Sequence, residues 1–488
     1  MFQVLGVGPT YSRNRQPSEP VKATICRPRH RLLCGVKRLR SFPMKTSVGL
    51  LLAILSSALV AQSDAAPPVS SEPVVLTGKK LPTLLGKPPH RIVAFAFRKG
   101  WQRIPVQIDE RAVVPYSQIL RRRVRKDVKG LVYTDPNTFT GDDPDPNFDA
   151  DDELVVLAAD AGAAAPEGNP DGVRAESRVE LIVRGMPKDA DHVYLFDSTA
   201  DPAPGPKRVR YEFRLKAGAY LENYELRNRP NPENSTITTA AYRLGFRDRW
   251  VMDELRLTIG DVAGADILDL HKVQVIPGNC IRTTRTFSHG SGAMITNIDG
   301  PVRAIRAVIG ANSGPLTERI WICYPRRFDI ITYLRVHALP SVFMFFDYSA
   351  DALGMRYYDN HNLGGFEIDG KADPVKTGKL LWQFVTGKQG SLRIHFLLDT
   401  TIKTLIQGSL YDDNRKPVWK QCTGDSHSFG AAGPLLQHLA STDPRLDNFH
   451  KLTSRVVVYP GAAGKKLDDP ARMTAPKPLQ VEVRTTGK

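Results

Sequence analysis

Oxygen-bearing side chains alternate along the segment Thr134–Gly162. They are Asp143, Asp145, Asn147, Asp149 and Asp151, and Glu153 follows. Oxygen ligands at this density suit Ca²⁺, a hard cation that takes about six to eight oxygens. Pro144 and Pro146 stiffen the segment, which lowers the entropy lost when an ion binds. Because the sixth-position glycine of an EF-hand loop is absent, we expect a structural Ca²⁺ site of another kind. The alternative is a solvated acidic turn.

A second segment, Gly354–Gly365, combines aromatic, amide, acidic and basic side chains. Such a set suits sugar recognition, because rings cover the apolar face of a sugar while amides and carboxylates bond its hydroxyls. We expect ligand contacts from Asp359, Asn360 and Asn362. A lyase acting on an acidic sugar would use a base and a charge neutraliser from this segment. Its catalytic residues would be Arg356, Tyr357, Tyr358 and His361. The alternative is a polar turn with two half-buried tyrosines.

Other residues carry weaker signals. The basic run Arg121–Lys126 favours contact with a polyanion, and the alternatives are a solvated face, pairing with the acidic segment or a protease-processing site. His395 lies opposite an apolar row on its strand, which predicts a solvent-facing side chain. No Walker loop, GxSxG elbow or HExxH motif occurs, which argues against the commonest nucleotide, esterase and metalloprotease sites.

The number and spacing of the cysteines limit which disulfides and zinc sites are possible. Cys280, Cys323 and Cys422 remain once the basic leader is set aside. An oxidising compartment allows one bridge, and we expect Cys280 with Cys323 because both lie in strand-like segments of one region. No cysteines and histidines stand at zinc spacing, which argues against a structural zinc site.

Short strand patterns separated by Gly, Pro, Asn and Asp predict an all-β fold of antiparallel, sandwich-type domains with few short helices. In Arg208–Lys216, apolar residues alternate with charged ones, which is typical of an antiparallel strand with one wet face. Helical patterns occur mainly near Tyr116–Lys126 and Pro434–Ala440. The proline-rich stretch Asp197–Lys207 resembles a linker.

From these patterns we expect a large sandwich-like domain at residues 201–470, after an N-terminal β-domain at 67–200 that holds the acidic loop. Residues 471–488 would form an extended tail. A single continuous sandwich with a proline-rich loop is the alternative.

The N-terminal region predicts export. Lys45 and a run of thirteen apolar and small residues, Val48–Val60, precede small residues through Ala66, so residues 44–66 read as a signal peptide. The alternative is an uncleaved anchor, although the run is short for a membrane span, and we expect no stable span after cleavage. Secreted or periplasmic localisation follows.

Residues 1–43 form a basic leader that precedes the signal pattern. Translation starting at Met44 would exclude it, and an organelle transit sequence is the other interpretation. It carries nine Lys or Arg against one acid, so without it the net charge of +16 falls to about +8. No nucleic-acid motif accompanies this mild excess, and we expect no nucleic-acid partner.

Two phrases resemble segments of a group of secreted, functionally uncharacterised β-rich proteins. They are RIPVQIDER (Arg103–Arg111) and NFDADDELVVLAADAG (Asn147–Gly162). A third phrase, IDGPVRAIRAVIGANSGP (Ile298–Pro315), looks like the part that follows them. The resemblance implies an N-terminal β-domain but no activity. At the level of fold, the chain is similar to large β-sandwich carbohydrate-active proteins, which does not assign function.

These patterns favour an exported protein that binds or processes extracellular carbohydrate, with a polysaccharide or other extracellular polymer as partner and Ca²⁺ as a structural ion. The alternative is a non-catalytic envelope or matrix protein that acts through interaction surfaces. Neither the ligand, nor catalysis, nor oligomeric state follows from the sequence.

Overall fold

A computed structural model describes residues 72–123, 128–185, 191–276, 283–312, 314–335, 341–400, 405–415, 428–438, 449–459 and 479–485, and the structural statements below concern these residues. The basic leader at 1–43, the signal pattern at 44–66 and the end of the basic run lie outside them. Within the described residues the chain is all-β, with antiparallel sheets and few short helices, as predicted.

The first part of the chain forms three small sheets, which the end of the chain joins. Their strands are β1 (Pro73–Thr77), β2 (Ile92–Phe97), β3 (Trp101–Ile104), β4 (Gln107–Asp109), β5 (Arg111–Pro115), β6 (Lys129–Tyr133), β7 (Glu153–Leu157), β8 (Val179–Arg184) and β9 (Asp191–Asp197). The sheet orders are β1-β7-β4 and the hairpin β5-β6. A five-stranded sheet adds the last strand, β28 (Gln480–Thr485), to β8, β9, β2 and β3 in that order.

The larger part of the chain forms three further sheets. A five-stranded sheet has the order β10 (Val209–Glu212), β11 (Ser235–Thr239), β12 (Tyr242–Asp248), β13 (Val251–Ile259) and β14 (Val262–Asp266). A four-stranded sheet has the order β15 (Leu268–Ile276), β20 (Ser341–Tyr348), β26 (Ser428–Gln437) and β25 (Ile406–Asn414).

The third of these sheets has nine strands. Its order is β16 (Ala293–Asp299), β17 (Ala304–Ala311), β18 (Gly314–Tyr324), β19 (Arg327–Arg335), β27 (Phe449–Tyr459), β24 (Gly390–Thr400), β23 (Trp382–Gly387), β21 (Arg356–Asp359) and β22 (Phe366–Glu367). Alternate residues of its central strands point to opposite faces. One face packs into the main apolar core, which includes Trp321 and Ile330, and the other carries the charged residues described below.

The α-helices of the described residues are single turns: α1 (Tyr116–Ile119), α2 (Tyr220–Asn223) and α3 (Thr284–Phe287), and short 3-10 turns occur as well. The helix predicted near Tyr116–Lys126 is therefore shorter than expected in its described part. The helix predicted at Pro434–Ala440 is wrong, because its described residues continue strand β26 as far as Gln437. Strand β26 pairs on both sides, with β20 and β25, so its apolar run is a central strand rather than one face of a helix.

Two further predictions about single residues are wrong. His395 is 2% exposed, because strands β23 and β27 flank it and the sheet face that carries it is covered. Cys323 is a free thiol buried in the main core, so the bridge with Cys280 is not formed, and Cys280 and Cys422 lie outside the described residues. Burial raises the pKa of the Cys323 thiol, which keeps it protonated and unreactive.

Contacts across the stretch 197–207 bear on the domain organisation. The described residues form one compact unit, and the tail strand β28 returns to pair with β8. Ion pairs also join the parts before and after this stretch, such as Arg303 with Asp109. The boundary between residues 200 and 201 stays a prediction. No helix among the described residues is long and apolar enough to cross a membrane.

Candidate functional site

A cavity of about 330 Å³ lies against one face of the nine-stranded sheet. Its floor comes from alternate residues of paired strands, because side chains of the same parity share a face. In β18 these are Glu318, Ile320, Ile322 and Tyr324, and in β19 they are Arg327, Asp329, Ile331 and Tyr333. The roof comes from the first part of the chain, through β1, the β5-β6 hairpin and the start of β7. The volume is at the lower end of the range of about 300–1,000 Å³ for ligand pockets.

One corner of the cavity holds a buried network of charges. Arg303 is 1% exposed, and its Nε donates to Asp109 Oδ2 at 2.8 Å while its Nη2 donates to Glu153 Oε2 at 2.6 Å. Arg111 Nη1 donates to Glu153 Oε1 at 2.8 Å, and Tyr133 Oη donates to Glu153 Oε2 at 2.8 Å. Burial raises the pKa of Glu153, but the charges of Arg303 and Arg111 outweigh burial, so the pKa lies below its ordinary value. Glu153 therefore stays ionised.

A buried amide holds this corner in place. Gln107 Oε1 accepts from the backbone N–H groups of Val302 and Arg303 at 2.9 Å, and its Nε2 donates to Asp109 Oδ1 at 2.6 Å. A Cβ at Gly300 would lie 2.2 Å from the Gln107 side chain. Only glycine therefore leaves room for the amide that aligns the backbone of Arg303.

We expect Gly300→Ala to reduce the free energy of unfolding by about 1–3 kcal/mol, because it displaces a buried side chain and leaves its hydrogen-bond partners unmade. Urea unfolding followed by tryptophan fluorescence measures the change. Gly364→Ala is the matched control, since nothing lies within 4 Å of a Cβ at that position. Equal effects of the two substitutions would contradict the role assigned to Gln107.

A second corner shares one carboxylate between two arginines. Arg327 Nη2 donates to Asp329 Oδ2 at 2.6 Å, and Arg455 Nε donates to Asp329 Oδ1 at 3.1 Å. Arg327 also pairs with Glu72. Burial raises the pKa of Asp329, but Arg327 and Arg455 outweigh it and hold the pKa below its ordinary value. This carboxylate remains an acceptor across the physiological range of pH.

Glu318 and Tyr333 form a third polar corner, where the two residues are cross-strand partners. Tyr116 Oη donates to Glu318 Oε2 at 2.8 Å, and Glu318 is 3% exposed. Between the corners the floor is apolar, with Ile320 opposite Ile331. Side chains that donate and accept hydrogen bonds therefore surround the apolar floor of the cavity.

The carboxylates of the predicted calcium loop mostly bond the loop's own backbone. Asp143 Oδ1 accepts from Asp145 N at 2.9 Å, and Asp145 Oδ1 accepts from Asn147 N at 3.1 Å. Asp149 Oδ1 accepts from Asp151 N at 2.9 Å. Glu153 belongs to the cavity. No group of three or more His, Cys, Asp or Glu residues suited to a metal occurs in the described part of the chain.

Calcium binding by this loop stays a prediction with a direct test. One carboxylate oxygen of Asp143 is buried without a hydrogen-bond partner. Burial, together with the negative charges of Asp152 and Asp143, raises the pKa of Glu110 to about 7. If Ca²⁺ binds only the folded chain, thermal melts in millimolar Ca²⁺ should show a higher Tm than melts in EDTA. Identical melts would remove the prediction, and Mg²⁺ at equal concentration controls for ionic strength.

Of the residues predicted as a lyase site, Arg356 Nε donates to Tyr358 Oη at 3.1 Å, whereas Tyr357 lies on the other face of the strand. Tyr357 is fully buried in the main core, where its Oη donates to Asp359 Oδ2 at 2.7 Å, and burial raises its pKa well above the ordinary value. Tyr358 lies on the opposite face of β21, with the guanidinium of Arg356 5.8 Å from its ring centroid. A buried tyrosine of raised pKa does not reach a polymer and does not serve as a base.

The other predicted ligand residues build a turn. Asp359 accepts from the backbone N–H groups of His361 and Asn362 at 2.7 and 2.8 Å. Asn360 Nδ2 donates to Lys379 O, and a hydrogen bond of 2.9 Å joins His361 Nε2 to the same carbonyl. The polar groups of this segment therefore fasten it to the stretch around residue 379, which matches the alternative interpretation of a polar turn.

The cavity draws on the three phrases that carry the resemblance to secreted β-rich proteins. RIPVQIDER contributes Arg111, NFDADDELVVLAADAG contributes Glu153, and IDGPVRAIRAVIGANSGP contributes Arg303. Gln107 and Asp109 of the first phrase contact Arg303 without lining the cavity. Of these residues only Glu153 had a predicted role, which was in a metal site. A signal was present in β19, where Arg327, Asp329 and Tyr333 occupy alternate positions of a strand.

Comparison with known proteins adds no functional assignment. No protein-family model matches this chain, and no curated protein matches it. The cavity and its chemistry are therefore the basis for the function proposed below.

Proposed function

We propose that this protein is an exported binding protein for a neutral carbohydrate, which it holds in the cavity on the nine-stranded sheet. The observation that carries the proposal is the lining, in which seven charged residues and three tyrosines surround an apolar floor. A sugar matches such a lining, because it has an apolar C–H face and a ring of hydroxyls that both donate and accept hydrogen bonds. The volume suits a monosaccharide or disaccharide.

The charges of the cavity favour a neutral ligand. The lining has four arginines and three carboxylates, and Asp109 and Glu72 pair with two of those arginines from behind. Each arginine thus already has a carboxylate partner. An anionic ligand would have to displace one of these partners or approach it at a repulsive distance. A hydroxyl needs no counter-charge, so it can bond the arginines and carboxylates as they stand.

The hydrogen-bonding capacity that remains lies at accessible atoms. Among the described residues, hydrogen bonds use two of the three guanidinium nitrogens of Arg111 and two of the three of Arg455. Their side chains are 15% and 28% exposed. Arg455 shares Asp329 with Arg327, so Asp329 keeps a cationic partner when Arg455 is changed. Arg455 is therefore the residue that tests ligand binding with least damage to the fold.

Binding is measured by titration calorimetry of the purified chain with neutral mono- and disaccharides and with their uronic-acid counterparts. We expect binding of at least one neutral sugar and weaker binding of its uronic acid. Arg455→Met should weaken that binding about tenfold or more, because it removes charge-assisted hydrogen bonds. Arg210→Met is the control, since Arg210 is 73% exposed on another sheet.

The outcomes separate the proposal from its rivals. Binding that Arg455→Met weakens and Arg210→Met leaves unchanged places the sugar in the cavity. Tighter binding of the uronic acids would overturn the neutral-ligand argument. Failure of every sugar to bind would favour the non-catalytic envelope or matrix protein that acts through its surfaces.

A further inference from the structure

The mouth of the cavity is apolar and exposed to solvent. Val75 and Leu131 line the cavity and are 38% and 47% exposed. Val113 is the cross-strand partner of Leu131 in the β5-β6 hairpin and is 62% exposed. Cross-strand partners point to the same face, so the side chains of Val113 and Leu131 are neighbours. An apolar strip therefore begins inside the cavity and continues outward along the hairpin.

Inside the cavity the floor is apolar as well. Eight of the eighteen lining residues are aliphatic. The facing isoleucines Ile320 and Ile331 lie between the polar corners. Aliphatic side chains favour burial of a flexible hydrocarbon as well as of the C–H face of a sugar. The floor and the strip together form one path for a chain that leaves the polar corners.

We propose that the ligand is an amphipathic glycoside: a neutral sugar in the polar corners of the cavity that carries an alkyl or acyl chain along Ile320, Leu131 and Val113. This inference rests on the proposed function and narrows its ligand class. The alkyl chain would add to the binding free energy because it is removed from water. Each buried methylene contributes about 0.8 kcal/mol, which is about a fourfold change in Kd.

The test uses methyl, hexyl and octyl β-D-glucosides and the corresponding β-D-maltosides, each below its critical micelle concentration, in titration calorimetry with the purified chain. We expect Kd to fall at least tenfold from the methyl to the hexyl glycoside. A hexyl ether of tri(ethylene glycol) carries the same chain without a sugar and should bind at least tenfold more weakly than the hexyl glycoside.

Two variants test where the alkyl chain of the ligand lies. Leu131→Ser should remove most of the gain from the hexyl chain, so that the Kd of the hexyl glycoside approaches that of the methyl glycoside. Leu353→Ser is the matched control, because Leu353 is 46% exposed and does not line the cavity. It should leave both affinities unchanged.

The outcomes distinguish this inference from the function on which it rests. Equal affinity for methyl and hexyl glycosides, with binding that Arg455→Met weakens, would overturn the inference that an alkyl chain binds. It would leave the proposed sugar site unaffected. Equal affinity for the hexyl glycoside and the hexyl ether would overturn the amphipathic ligand as well. If neither the glycosides nor the free sugars bind, the proposed function fails and this inference fails with it.

Discussion

Arg303→Met should reduce the free energy of unfolding by about 3–5 kcal/mol, because it leaves a buried carboxylate without its counter-charge. Arg303 and the side chain of Asp109 are almost fully buried, and both Nε and Nη2 of Arg303 contact Asp109 Oδ2. Glu153 retains Arg111 as a partner, whereas within the described part of the chain Asp109 retains only a side-chain hydrogen bond from the amide of Gln107. The loss is measured by urea unfolding at neutral pH.

A double variant separates the charge from the packing. Arg303→Met with Asp109→Leu replaces the buried pair by apolar side chains, so it should recover most of the stability lost in the single variant. Arg210→Met is the control for removal of a guanidinium at the surface, where exposed ion pairs contribute about 0–1 kcal/mol. A single Arg303→Met variant within 1 kcal/mol of the parent would show that the pair does not hold the cavity corner.

Acid should destabilise this chain through His395. Burial, followed by the charges of Arg393 and Arg455, lowers the pKa of His395 to about 3, and its Nε2 has no hydrogen-bond partner. Between the ordinary pKa of about 6.5 and pH 3, the unfolded chain binds a proton that the folded chain does not. The free energy of unfolding therefore suffers no loss from His395 above about pH 6.5, and it decreases as the pH falls below that value. The expected loss from this group is about 2–3 kcal/mol between pH 7 and pH 4.5.

The measurement compares the parent with His395→Leu by urea unfolding at pH 4.5, 5.5, 6.5 and 7.5. As the pH falls, the parent should lose more unfolding free energy than the His395→Leu variant, because leucine binds no proton. Trp382→Phe is the control, because Trp382 is the cross-strand neighbour of His395 and carries no titratable group. A parent-minus-variant difference that stays constant across the series would contradict the lowered pKa.

Local patterns predicted the class of fold because they depend on near neighbours. In Arg208–Lys216, buried Val209 and Tyr211 flank exposed Arg210, as the alternation predicts for one wet face. The strand is shorter than the pattern, with bounds at Val209 and Glu212. Alternation also misled at His395, because it identifies which face a side chain occupies but not whether another part of the chain covers that face.

Composition singled out the acidic segment and the Tyr357 segment, but it did not reveal how their polar groups are hydrogen-bonded. Both were predicted as ligand sites because they concentrate polar groups. In the structure, most of those groups bond backbone N–H and C=O groups within a few residues or in an adjacent loop, as Asp143 and Asp359 do. Asp and Asn form such bonds with little loss of entropy, so a dense polar segment is often a turn.

The sequence by itself determined the antiparallel β class, because the period of two and the turn residues are local properties of the chain. Only the tertiary structure decided where the cavity lies. Arg303 meets Asp109 across 194 residues of sequence, and Arg327 meets Glu72 across 255. Such pairings depend on strand register and sheet order, which neighbouring residues do not encode, and on burial that makes a charge require its partner.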